Sequence, residues 1–197
     1  DGSQYGVEVD RWPYDSESAE AAFARCFTHP RNGPEISDPR RPTYKENVYS
    51  FQYGSVKNIV FNNNYWMSNQ PALYGGSPEG YLLADQLKWI EDELKGAEAD
   101  PSIQYVFLIA QEPVFPNGGH LKDGMWYFGD NSVRAASFNA GKLAAEKEGI
   151  IEVRNRFVRM VSSYRKVAAV LGADEHAYHR LLVTREVPVG MMEKDDK

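Results

Sequence analysis

The chain has 197 residues, 42% hydrophobic and 25% charged, with a formal net charge of −6 at pH 7, which is enough apolar material for one sizeable core. An acidic balance without long runs of like charge argues against nucleic acid as the main partner, and no apolar run approaches the roughly 20 residues of a membrane span. Cys26 stands alone, so no internal disulfide can form, and the chain opens on Asp1 with no signal peptide, so a removed or separate upstream segment is expected.

Asp1–Tyr14, rich in glycine, aromatics and acids, reads as loop. Ser16 or Ser18 can cap a helix to about Phe27, with Ala22, Phe23, Cys26 and Phe27 on one face and Cys26 as a small buried hydrophobe. The proline-rich stretch 29–42 excludes regular structure, and His29, before Pro30, reads as structural. Val48–Tyr53 and Val56–Asn62, joined at Gly54-Ser55, form an antiparallel hairpin. Asn62–Pro78 is a long polar loop of the kind that often binds ligands, although its asparagine run more often makes turns. Leu83, Leu87, Ile90 and Leu94 recur at helical spacing, with Gly96 where a C-terminal cap belongs.

Gln104–Ala110 (QYVFLIA) reads as a buried strand that ends in Gln111, Glu112 and Pro113. A second excursion, Gln111–Ala145, contains His120 and the Trp126-Tyr127-Phe128 cluster, which stacks on a sugar or base or covers an apolar face. Ile150, Val153, Phe157, Val161 and Tyr164 mark another amphipathic helix. It leads into Val167–Leu171 (VAAVL), too short and too β-branched for a helix and therefore a second buried strand, followed by Asp174, Glu175 and His176. One more strand is expected at His176–Val183 and a charged tail at Glu193–Lys197. Two buried strands that both discharge into carboxylate, amide and imidazole groups predict one shared site. The chain is read as a single domain, with an irregular entry at 1–47 and a core at 48–186.

Four landmarks then resemble the calcineurin-like metallophosphoesterases, and their purple-acid-phosphatase-like branch in particular. Tyr49-Ser50-Phe51-x-Tyr53-Gly54-Ser55-Val56 is similar to that family's hairpin, and Gln86-Leu87-x-Trp89-Ile90 to its QL-x-WL helix. Phe107–Phe115 resembles its strand-H-x-P motif, and Asp174–Arg180 its GH-x-H-x-Y-x-R motif. The resemblance implies an α/β fold, the C-terminal half of a metallophosphoesterase-like β-sandwich flanked by helices. It implies a phosphoester substrate and a two-metal site in which bridged cations acidify a water.

The chain departs from that pattern as well. The family's D-x-H, GD-x-x-D and GN-H-D/E motifs do not occur, so an N-terminal half of the same protein is implied as partner. Gln111 stands at the H-x-P histidine and Asp174 at the first histidine of the last motif, leaving His176 as the retained imidazole. The implied metal ligands are therefore His176, Asp174 and Gln111, with Glu112 and His120 as further donors. Imidazole suits Zn, Fe or Mn, while an Asp/Gln pair moves preference toward Mn, Mg or Ca. His120 and Arg180 are the candidate phosphate contacts. Each residue has a plainer role open to it: a hydrogen-bonded imidazole for His176, a turn acid for Asp174, a satisfied amide for Gln111, a salt bridge for Arg180. His179 lies on the opposite strand face and reads as surface. A catalytically inactive binding or structural module of the same fold is the alternative function. The branch is commonly exported, which implies a periplasmic or extracellular location.

Overall fold

In a computed structural model, the described residues are 3–4 and 7–8 (backbone only), 17–36, 38, 40–116 and 121–184. Short strands β1 (Ser3–Gln4) and β2 (Val7–Glu8) pair antiparallel. Helix α1 (Ala19–Cys26) is capped by Ser18, whose Oγ accepts from the Ala21 backbone N–H at 3.1 Å. Its buried face is Ser18, Glu20 and Ala21, and not the expected one. Phe23 and Phe27 stack on each other at 4.3 Å but remain exposed, and Cys26 is exposed where a buried hydrophobe was expected. Glu20 turns inward instead because its carboxylate accepts the Trp66 backbone N–H at 2.7 Å.

The centre is a four-stranded mixed sheet in the order β3-β4-β5-β8. Strands β3 (Tyr49–Tyr53) and β4 (Val56–Val60) form the expected hairpin, and β5 (Tyr105–Ile109) and β8 (Val167–Leu171) continue it in parallel. Three short elements punctuate the two long excursions. Helix α2 (Pro71–Tyr74) opens on a proline at its first position, and strands β6 (Ala136–Asn139) and β7 (Lys142–Ala145) form an antiparallel hairpin.

Helix α3 (Ala84–Ala99) runs through Gly96 to a cap at Asp100, four residues past the expected cap. The reason is a cation: Lys166 Nζ donates to the Ala97 and Asp100 carbonyls at 2.8 and 2.6 Å, satisfying the end of the helix where its dipole is negative. Helix α4 (Ile150–Ser162) starts on Asn131, whose side-chain oxygen accepts the Ile151 and Glu152 backbone N–H groups at 3.1 Å. Among the described residues these four helices and the mixed sheet define an α/β chain.

One face of the sheet packs on α3 and α4. Ile59, Val106 and Leu108 join Leu87, Ile90, Leu94, Val153, Phe157 and Val161 in a single core, with the Phe61 and Phe157 rings 5.3 Å apart. The other face is open, so β5 alternates buried and accessible positions, and β8 has no fully buried residue. The two-faced burial expected from QYVFLIA and VAAVL is therefore not met. The strand expected at 176–183 is also absent: no strand is formed over those residues, and Tyr178, Leu181 and Leu182 are exposed.

Candidate functional site

Strands β4, β5 and β8 run parallel, so the loops after them leave the sheet at the same end. That carboxyl end is where open α/β sheets hold ligands. Backbone bonds bind the three exits together. Phe61 N–H donates to the Ile109 carbonyl at 2.9 Å, Ala110 N–H to Leu171 at 3.0 Å, and Ala173 N–H to Gln111 at 2.7 Å. Gly172 lets the last two loops touch, since a Cβ there would sit 2.9 Å from the Pro113 Cα.

Three carboxylates meet at this end. Glu79, Glu112 and Asp174 each place an oxygen within 4.8 Å of the others, with Glu112 buried and the other two half-buried. The asparagine run frames them. Asn63 brackets Glu112 through both backbone groups, donating to its carbonyl at 2.9 Å and accepting its N–H at 3.1 Å. Asn64 donates to Glu112 Oε1 at 2.9 Å and accepts the Gly80 N–H at 2.9 Å, so one side chain links the Glu112 and Glu79 loops. Gly80 has φ +80° and lies against the Gly124 carbonyl, where a Cβ would meet the oxygen at 1.9 Å. Tyr127 closes one side. Burial holds its phenol protonated well above the usual range, reinforced by the charges of Glu79, Asp123 and Glu112.

The backbone is left-handed at Asp174 (φ 68°), His176 (φ 49°) and Tyr127 (φ 49°), and non-glycine residues in that region concentrate at ligand sites. Three carboxylates this close repel one another unless a proton or cation lies between them. Their all-oxygen donor set suits hard cations such as Ca, Mg or Mn and lacks the imidazole or thiolate that favours Zn.

Of the expected ligands, Asp174 is in this group. Gln111 is exposed, and its carbonyl accepts the N–H of Ala173, the residue before Asp174, while His176 is exposed and lies outside the cluster. Arg180 and His179 are exposed, and His120 lies outside the described residues. Glu79 was missed because nothing in a Ser-Pro-Glu-Gly turn distinguishes a ligand from a loop acid. A cavity of about 480 Å³ lies between the β6–β7 hairpin and the start of α3 and has none of the three acids in its wall. Two contacts tie charges in its wall, Arg156 to Glu148 at 2.9 Å and Glu146 to the Ser137 hydroxyl.

Comparison with protein-family models, curated proteins and solved structures gave no match to this chain. No helix among the described residues is long and apolar enough to cross a membrane.

Proposed function

We propose that the chain is the C-terminal part of a metal-dependent phosphoester hydrolase-like protein, a metallophosphoesterase-like sandwich half that supplies only part of a cation site. The carrying observation is that Glu112 and Asp174, from loops after adjacent parallel strands, converge with Glu79 at the carboxyl end of the sheet. These three would hold a hard divalent cation, and such an ion, once further donors complete its site, would polarise a phosphoryl oxygen and acidify a water. Asn64 orients Glu112, and protonated Tyr127 offers a hydrogen-bond donor beside the acids. The remaining donors would come from an upstream segment of the same protein, and an exported location belongs to the same reading. The exposure of His176 and Arg180 supports the second reading, in which the fold binds a cation or partner without catalysis.

The test is a calorimetric titration of the chelator-treated chain with Mn, Ca and Mg. Saturable binding that Asp174→Asn with Glu112→Gln removes is the expected result. Binding that persists in that double variant, or none in the parent chain, sinks the cation site.

A further inference from the structure

The open face of the central sheet is almost wholly apolar. Cross-strand register places Tyr49, Phe51 and Tyr53 of β3 beside Val60, Asn58 and Val56 of β4. These adjoin Ile109, Phe107 and Tyr105 of β5, and then Leu171 and Ala169 of β8. Seven of these eleven side chains are wholly apolar, three are tyrosines and one is Asn58; none is charged, and none is buried. Tyr53 is 83% exposed, Tyr105 53%, Leu171 47% and Phe51 42%. The row continues off the edge of β3, where the His29 ring stacks on Tyr49 at 4.5 Å and on Phe27 at 6.0 Å.

We propose that this face is a docking surface for a second copy of the chain, the two sheets packing face to face about a twofold axis. Area supports it. At roughly 200 Å² for a whole aromatic side chain, the exposed rings of the face and of the Phe23–Phe27 row, together with Leu171, leave about 600 Å² of apolar surface in water. That is at the upper limit for the largest patch on a monomer. Two such faces, with their half-buried side chains, bury roughly 1,200–1,500 Å², the size of a stable interface. The charge pattern agrees. Lys57, the only charged residue of the four strands, points to the other face, where it pairs with Glu93 of α3 at 2.6 Å. A net charge of −6 per copy therefore places no like charges inside the contact. In a twofold interface the same patch serves both partners, so a face must be self-complementary. Asn58, at the middle of the patch between Phe51 and Phe107, is placed to pair with its own counterpart near the axis. Sheets stacked this way lie about 10 Å apart.

The inference does not rest on the cation reading, and it makes a second copy, in place of an upstream sheet of the same protein, the cover of this face; its test is insensitive to metal. Sedimentation and light scattering of the 197-residue chain, in chelator, at 1–100 µM should give a mass twice the 22.3 kDa of one copy. Tyr53→Asp with Tyr105→Asp should weaken association at least 100-fold, and Leu182→Asp, in the exposed segment after the sheet, should leave it unchanged. Both aspartates would enter exposed positions, so circular dichroism should be that of the parent. Independently, a short bis-maleimide should couple Asn58→Cys to its copy in a Cys26→Ser background and should not couple Leu73→Cys, on exposed α2. A mass of one copy throughout, or a dimer indifferent to the two aspartates, overturns the proposal and leaves the face to another occupant.

Discussion

Asn64 shows how much a residue of ordinary type can decide. Its amide holds Glu112 Oε1 and the Gly80 N–H at once, at 2.9 Å each, so Asn64→Ala removes one hold on both the buried carboxylate and the turn that carries Glu79. Removing a group that orients a metal ligand costs ~10–100-fold in affinity, and we expect that loss in a Mn titration, with unfolding stability reduced far less. Glu20 gives a second residue-scale prediction. Burial is the main cause that raises its pKa from the ordinary 4.5, against the hydrogen bond from Trp66. The folded state therefore holds the proton more tightly than the unfolded one. Its contribution is fully present below about pH 4.5 and falls as pH rises through the folded value. Glu20→Gln keeps an acceptor for the Trp66 N–H and removes the titration. Urea midpoints should then match the parent near pH 4 and exceed it at pH 8. Equal pH slopes for the two proteins would show that Glu20 is not desolvated.

At the scale of elements, the hairpin, the two long helices and the parallel strands were legible because each has a clear period or apolar run in the sequence. Helix α3 overran Gly96 because Lys166, 66 residues or more away in sequence from the carbonyls it caps, decides its end, and no local signal reports that contact. The β6–β7 hairpin was hidden because Ala-Ser-Phe-Asn and Lys-Leu-Ala-Ala lack β-branched residues, and its Ala140-Gly141 turn, φ 48° and 81°, has only the glycine as a cue. The stretch after β8 misled in the opposite direction, since β-propensity cannot make a strand where no ladder is within reach. For the site, Asp174 and the Glu112 loop were readable from two strands ending in acids, while Glu79 was brought in by Asn64 and Gly80 through contacts of 16 and 44 residues' separation. Gln86 is the joint between these levels. Fully buried on α3, it accepts the Asn62 N–H at 2.7 Å and donates to the Asn62 carbonyl at 2.9 Å, imitating a strand where β4 ends. Gln86→Leu leaves two half-buried backbone groups of Asn62 without this partner, at up to about 1–3 kcal/mol each. A loss of about 2–5 kcal/mol should appear in urea unfolding, and a loss under 1 kcal/mol would mean that water replaces the amide.

The whole molecule joins a helix-packed face, an open apolar face and an acidic end, and what it can catalyse follows from how many donors that end supplies. Two-metal hydrolysis requires ligands that bridge and position both ions, so that one activates a water while the pair clamps the transferring phosphoryl group. On the proposed reading Glu79, Glu112 and Asp174 would place one hard cation, and among the described residues no imidazole joins them. An ion held by three carboxylates keeps most of its water shell, and the neighbouring negative charge opposes loss of a proton from that water, so its pKa stays near that of the aqueous ion. The phenol of Tyr127, pushed above its usual range by burial, is a donor at neutral pH and not a base. The 197-residue chain with saturating Mn should therefore bind the ion and still release no detectable phosphate from a phosphomonoester or a phosphodiester. A longer protein that includes the upstream donors should show chelator-sensitive turnover, reduced at least 100-fold by Asp174→Asn. Robust turnover by residues 1–197 alone would overturn the incomplete-site reading. A longer protein that binds Mn and hydrolyses neither ester would favour the non-catalytic one.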